Sequence, residues 1–250
     1  MKDFRFIYVV TTSFFWGIVR IPFANHMIAN KERYSIERRS RFAYKIMDFM
    51  KRRGHVNSDI FGYDNLPKDE NYILYSNHQG KYDALGVLLG LKGKPCGMLW
   101  EQKSSDRLMA RQICGLLDGE PIDLTNGRAM VTSIGNVVSR VRNGLCYLIF
   151  PEGGYKDNKN NLQEFKSGCF ACSLQTKTPI VPVAIYDSYK GMNGNSLKHV
   201  VTQVHYLKSI AYDEYKDLNK KEICELVKSK IAEKLAQIEA GELFTPDFRI

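Results

Sequence analysis

Asn71-Tyr-Ile-Leu-Tyr-Ser-Asn-His-Gln-Gly-Lys-Tyr-Asp83 is the stretch on which the reading of this chain turns. Residues 71 to 76 are apolar and β-prone and end at a polar turn. This predicts a buried strand that delivers Asn77 and His78 at its C-terminal end. Asp83 then opens a helix over Ala84-Leu-Gly-Val-Leu-Leu-Gly-Leu91, where a carboxylate is favoured as a cap and by the helix dipole. The loop between the two is tight enough for the Asp83 carboxylate to fold back onto one imidazole nitrogen of His78 while the other faces a cleft. A neutral imidazole held this way can take the proton of an alcohol attacking a thioester, help worth about 10²- to 10⁴-fold. The pair is two-thirds of a triad whose nucleophile the substrate itself would supply. From spacing alone, an Asp that merely caps its helix beside a surface histidine is an equal reading.

Outward from this stretch, strands alternate with helices. Pro95–Trp100 reads as a strand before a helix near 104–117, and Glu120–Leu124 as a short extended piece before a helix near 128–143. Leu145–Phe150 is a continuous apolar run, which as a strand must be interior. Phe165-Lys-Ser-Gly168 leads into a helix, Thr178–Ile185 is a further buried strand, and His199–Tyr206 alternates as a half-exposed strand. A last helix near 219–240 places Ile223, Leu226, Val227, Ile231, Leu235 and Ile238 on one face. The expectation is an α/β domain over residues 54–250, a mixed, mostly parallel sheet flanked by helices, with ligands at strand ends. The Pro151-Glu-Gly-Gly154 turn lies at such an end. Its glycines let backbone N–H groups approach a ligand, and a charge at Glu152 needs a purpose where it is buried, although taken by itself the segment reads first as a plain turn.

Residues 1–53 form a separate segment in this reading. Phe6–Val19 is fourteen uncharged residues between Arg5 and Arg20, short of the roughly 20 a spanning helix needs, so it reads as an interfacial or re-entrant helical anchor, with a true span second and a signal peptide third. Of the net charge of +9, residues 31–53 carry +6 and residues 1–30 carry +2, leaving the rest close to neutral. A basic block behind an apolar segment suits an anionic membrane surface, at the cytoplasmic face of the cell membrane, better than nucleic acid; a solvated charged helix is the plainer alternative. The six cysteines have no disulfide-framework spacing, and the lone Cys169-Phe-Ala-Cys172 pair has no second pair or nearby His to make a metal site.

Taken together, these elements resemble the 1-acylglycerol-3-phosphate acyltransferase family of the glycerolipid acyltransferase superfamily. Asn77, His78 and Asp83 match its Asn-His-x4-Asp motif, and Phe150, Pro151, Glu152 and Gly153 match Phe-Pro-Glu-Gly. Phe165, Lys166 and Gly168 match the Phe-Lys-x-Gly stretch, and Pro179–Val183 the proline-rich strand. The resemblance implies acyl transfer from acyl-CoA or acyl carrier protein to the free hydroxyl of a lysophospholipid. His78 would be the general base, Asp83 its orienter, and Glu152, Gly153 and Gly154 would help seat the acceptor; no metal and no resident cofactor are implied. Two departures bear on the acceptor. Gly154-Tyr155 stands where the family has Thr-Arg, and Ile122-Asp123 is followed by Leu124-Thr125 rather than Arg. Those arginines suit a bidentate phosphate clamp, and Lys103, Arg128, Lys156 and Lys166 are the cations that could restore charge but not fork geometry. 1-Acylglycerol-3-phosphate is therefore the leading acceptor, with another lysolipid or an amino-acid-based lipid as the alternative. A hydrolase is disfavoured because no G-x-S-x-G elbow occurs. A non-catalytic lipid-binding protein would explain the anchor but not His78, Asp83 and Glu152.

Overall fold

The computed structural model describes residues 3–104 and 109–250. Three helices come first: α1 (Phe4–Thr12), α2 (Phe14–Ala29) and α3 (Ile36–Arg53). Then follow β1 (Val56–Phe61), β2 (Ile73–Ser76), α4 (Asp83–Gly90), β3 (Cys96–Glu101), α5 (Ala110–Leu116), β4 (Glu120–Ile122), α6 (Gly127–Arg142) and β5 (Cys146–Ile149). The chain closes with α7 (Ala171–Thr176), β6 (Ile180–Tyr186), α8 (Tyr189–Met192), β7 (Val200–Tyr206), α9 (Tyr212–Tyr215), α10 (Lys220–Glu239) and β8 (Phe248–Arg249). The helix expected from residue 104 is seen from Ala110, and residues 105–108 of that expectation lie outside the described residues.

The strands form one sheet in the order β4-β3-β5-β2-β6-β7-β1-β8. Every pairing is parallel except β6 with β7 and β1 with β8. The apolar runs of the central strands follow from burial on both faces. In β2, Leu74 packs into the core under α3, α4 and α5, while Ile73 and Tyr75 pack into the core under α6, α7 and α10. The same alternation sends Leu148 of β5 to the first face and Tyr147 and Ile149 to the second.

Residues 4–53 are built into the first of these cores: Val9, Ala24, Met27, Ala43 and Met47 are buried in the cluster that holds Leu74 and Val87. Arg5, expected to flank an apolar anchor, is only 2% exposed. Its guanidinium donates to the carbonyls of Ser196 at 2.7 Å, Gly54 at 2.9 Å and Lys198 at 2.6 Å, so the charge is held by carbonyl dipoles. Arg20 lies over the Trp16 ring, 4.1 Å from its centroid. The basic block is partly spent inside the protein as well. Arg39 is buried and forms an ion pair with Asp118 at 2.6 Å, and Lys51 is buried beside Asp48. No single helix among the described residues is long and apolar enough to cross a membrane; α1 and α2 together have the length and composition but are bent by 77°.

Candidate active site

The parallel register of β2 with β5 and β6 brings three loops to one edge of the sheet. Asn77 ties two of them: its side chain donates to the Ile185 carbonyl at 3.0 Å and accepts from the Ile185 N–H at 2.8 Å. His78 follows, and its Nδ1 is 2.6 Å from Oδ2 of Asp83. The same oxygen accepts from the backbone N–H groups of Gln79 at 2.5 Å and Gly80 at 2.9 Å, while Oδ1 accepts from the Ser188 hydroxyl at 2.6 Å. Asp83 is fully buried and is the first residue of α4, but it does not cap that helix. Its carboxylate is turned back into the loop, which removes the capping alternative. With Nδ1–H given to Asp83, the imidazole carries its lone pair on Nε2.

Phe150 stacks on the His78 ring at 4.3 Å between centroids, and Tyr155 meets it edge-on at 4.8 Å. Glu152 is buried beneath: its Oε1 accepts from the His78 backbone N–H at 3.2 Å and its other oxygen from the Gln163 side-chain amide. Burial pushes the Glu152 carboxyl above its ordinary range, against the opposing pull of these hydrogen bonds. Gly153 and Gly154 have φ of 70° and 144°. At Gly153 a β-carbon would stand 2.8 Å from the Lys166 ammonium, so the missing side chain is what lets Lys166 lie across the turn.

His78 lines a cavity of about 880 Å³, large on the scale of small-molecule sites. Lys81, Tyr155 and Lys166 face the same space, which continues as an apolar chamber walled by Leu85, Met98, Ile113, Ile122, Met130 and Ile134. Phe6 also lines it, so α1 contributes to the site. The salt bridge from Lys81 to Asp3 at 2.8 Å fastens the start of α1 to the His78–Asp83 loop. A histidine–aspartate pair that opens on a largely apolar cavity is an arrangement that can act on the head of an acyl chain.

A family model described as Acyltransferase matches residues 57–186, just over half of the chain, and the match spans the His78, Asp83 and Glu152 loops. The chain belongs to the Acyltransferase family. Among curated relatives, a probable 1-acyl-sn-glycerol-3-phosphate acyltransferase of Mycoplasma pneumoniae is 28% identical over 162 residues, 63% of this chain and 59% of that protein. The human 1-acyl-sn-glycerol-3-phosphate acyltransferase alpha is 25% identical over 136 residues, 54% of this chain and 47% of the relative. A 1-acyl-sn-glycerol-3-phosphate acyltransferase of Borreliella burgdorferi is 26% identical, with 72% of each chain covered. The chain thus spans about half the length of the first curated relatives it matches. The crystal structure of the 1-acyl-sn-glycerophosphate (LPA) acyltransferase PlsC from Thermotoga maritima shares the fold, with TM-score 0.74 at 16% identity over 97% of this chain and 96% of that one.

Within this acyltransferase fold the sequence-expected residues separate into two groups. His78, Asp83, Glu152, Gly153, Gly154 and Lys166 converge at one edge of the sheet. Glu152, expected to seat the acceptor, is instead occupied by the His78 backbone and Gln163 and does not line the cavity. Lys103 and Arg128 are exposed and do not line it either. Sequence reasoning missed Ser188, Gln163, Asn158 and Asn160. Asn158 donates to the His78 carbonyl at 3.1 Å, and Asn160 accepts from Gln79 at 3.1 Å, so the loop after Gly154 straps the His78 loop in place. Amide-rich loop residues carry no spacing signal for such contacts. Cys169 lines the cavity while Cys172 is buried in the core, and among the described residues no group of three or more His, Cys, Asp or Glu is gathered as a metal set.

Proposed function

We propose that this protein is an O-acyltransferase that moves a fatty acyl group from a thioester donor, acyl-CoA or acyl carrier protein, to the free hydroxyl of a lysophospholipid. 1-Acylglycerol-3-phosphate, giving phosphatidic acid, is the leading acceptor. The observation that carries the reading is the His78–Asp83 pair at 2.6 Å on the edge of the apolar cavity. Nε2 of His78 takes the hydroxyl proton as the oxygen attacks the thioester carbon, and Asp83 offsets the positive charge that develops on the imidazole; the carbon–sulfur bond then breaks and the carrier's thiol leaves with the proton returned by His78, so that the ester forms and the imidazole is neutral again. The apolar chamber suits the acyl chain. The names of the relatives support the acceptor class, and Lys166 and Lys81 supply positive charge near His78.

The protein works, in this reading, on the cytoplasmic face of the cell membrane. Support comes from the outward apolar side chains of the bent helix pair: Phe15 is 82% and Val19 72% exposed, and Ile7 and Ile18 are exposed beside them. Arg33, Arg41 and Lys45, exposed on and before α3, suit anionic headgroups. Because Phe6 of α1 reaches the cavity, seating these helices in a lipid surface brings that surface to the site.

A different lysolipid acceptor is favoured by one observation: among the described residues no arginine lines the cavity, and Tyr155 stands against His78 where the resemblance leads one to expect one. The deciding experiment gives purified protein labelled acyl-CoA or acyl carrier protein with a total lysolipid extract and identifies the product by mass spectrometry. Labelled phosphatidic acid supports the leading reading and another labelled diacyl lipid the second. Release of free fatty acid alone, or no labelled lipid, overturns both.

A further inference from the structure

Asp83 has two carboxylate oxygens with unequal support. Oδ2 is aimed at His78 Nδ1 and is also held by the Gln79 and Gly80 N–H groups. Among the described residues Oδ1 has one donor, the Ser188 hydroxyl at 2.6 Å, contributed from 105 residues away in the chain. The terminal torsion of an aspartate is soft, so a carboxylate held at one oxygen only can turn about it and carry Oδ2 off the imidazole plane. Ser188 closes that freedom.

Ser188 is itself fixed. It is 3% exposed and sits in the turn after β6, where Asp187 adopts φ of 58°. The Ser188 N–H donates to the Gln79 side-chain carbonyl at 2.8 Å, and the Gln79 amide donates to the Ile185 carbonyl at 2.9 Å. The Asp187 N–H donates to Asn160 at 2.9 Å. The turn is thereby clasped to Gln79 of the His78 loop on one side and to Asn160 of the loop after Gly154 on the other. The ionisable neighbours are accounted for by partners of their own: Lys81 pairs with Asp3, Lys190 with Asp187, and Glu152 accepts from the His78 N–H and Gln163. The family match ends at residue 186, so Ser188 lies outside the matched stretch.

We infer that Ser188 is a positioning residue for acyl transfer: its hydroxyl locks the Asp83 carboxylate, which in turn holds the His78 imidazole in the orientation and tautomer of a general base. The inference rests on the reading of His78 as that base. A donor to a charged partner is among the stronger hydrogen bonds, and its loss here loosens the group that orients the base rather than any group that holds substrate.

The test compares full-length Ser188→Ala, Ser188→Thr and His78→Ala with wild type in acyl transfer from acyl-CoA to 1-acylglycerol-3-phosphate in mixed vesicles, across pH, with thermal unfolding in parallel. Ser188→Ala is expected to lower kcat about 10- to 100-fold with KM within about twofold. The acid limb of its pH–rate profile should move to higher pH, because a carboxylate without the serine bond attracts the imidazole proton more strongly. Ser188→Thr, which keeps the hydroxyl, should recover most of the rate. A merely structural serine would lower the unfolding midpoint and leave the pH profile in place, and that outcome overturns the inference. So does a Ser188→Ala kcat within about threefold of wild type while His78→Ala is inactive, which leaves the His78 reading standing. Activity of His78→Ala equal to wild type overturns the reading beneath it.

Discussion

Replacing Asp83 by Asn removes one charge and almost no volume, and the structure dictates how the amide must sit. Three of the four donors to Asp83 are N–H groups, from His78, Gln79 and Gly80, which can only donate when the imidazole is in its working tautomer. The fourth, Ser188 Oγ, can turn to accept. Asn therefore points its carbonyl oxygen at the three nitrogens and its NH₂ at Ser188, and the fold keeps its hydrogen bonds. What is lost is the negative charge beside the imidazole as it takes a proton. With charge centres about 4 Å apart and an effective dielectric near 20, that attraction is about 4 kcal/mol, or about 10³-fold in rate. The assay is kcat for acyl transfer, with the unfolding midpoint of the variant as control. A loss of about 10³-fold with the midpoint held within a few degrees is the expected result. An Asn variant that is folded and within tenfold of wild type would show that the carboxylate does not act on the base.

The other predictions concern the framework of the site. Arg5→Met leaves the carbonyls of Gly54, Ser196 and Lys198 without their donor and should cost about 3 kcal/mol in denaturant unfolding; an unchanged midpoint would mean that α1 is not held this way. Gly153→Ala forces a β-carbon into a left-handed position against Lys166, so KM for a phosphate-bearing acceptor should rise several-fold more than kcat falls, and equal changes in both would count against Lys166 as an acceptor contact. His205 is buried between Phe61 and Phe244, and burial, with Lys234 adding to it, holds its imidazole down at about 3. The unfolded chain takes this proton first, so stability present above about pH 7 declines as the pH falls toward the folded value. From the unfolded value of about 6.5 the loss reaches about 2 kcal/mol at pH 5. Urea titrations at pH 7 and pH 5 should show this loss in wild type and not in His205→Phe; the same loss in both would assign it to other groups.

What was legible in the sequence was what is local. The β2, β5 and β6 strands declare themselves because a strand covered on both faces has to be apolar throughout. β1 escaped notice because Asn57, Ser58 and Asp59 interrupt it. Ser58 is buried all the same, hydrogen-bonded to the hydroxyls of Tyr82 at 2.9 Å and Thr202 at 2.7 Å, the second of these 144 residues away. His78 and Asp83 could be paired because only four residues separate them, whereas Ser188 and Gln163 join the site only through tertiary contact. Charge alone misplaced Lys103 and Arg128, since a cation near the site in sequence still turns to water unless a partner holds it inward. Arg5 inverted the same rule: it read as the edge of an apolar segment, and three backbone carbonyls draw it into the protein.

Whether His78 is the base of an acyl transfer is decided by a single-turnover experiment on wild type and His78→Ala with labelled acyl-CoA and 1-acylglycerol-3-phosphate in vesicles. Wild type is expected to give labelled phosphatidic acid, and a folded His78→Ala a rate at least about 10³-fold lower. Equal rates from the two proteins, with the fold of both intact, would contradict that role for His78.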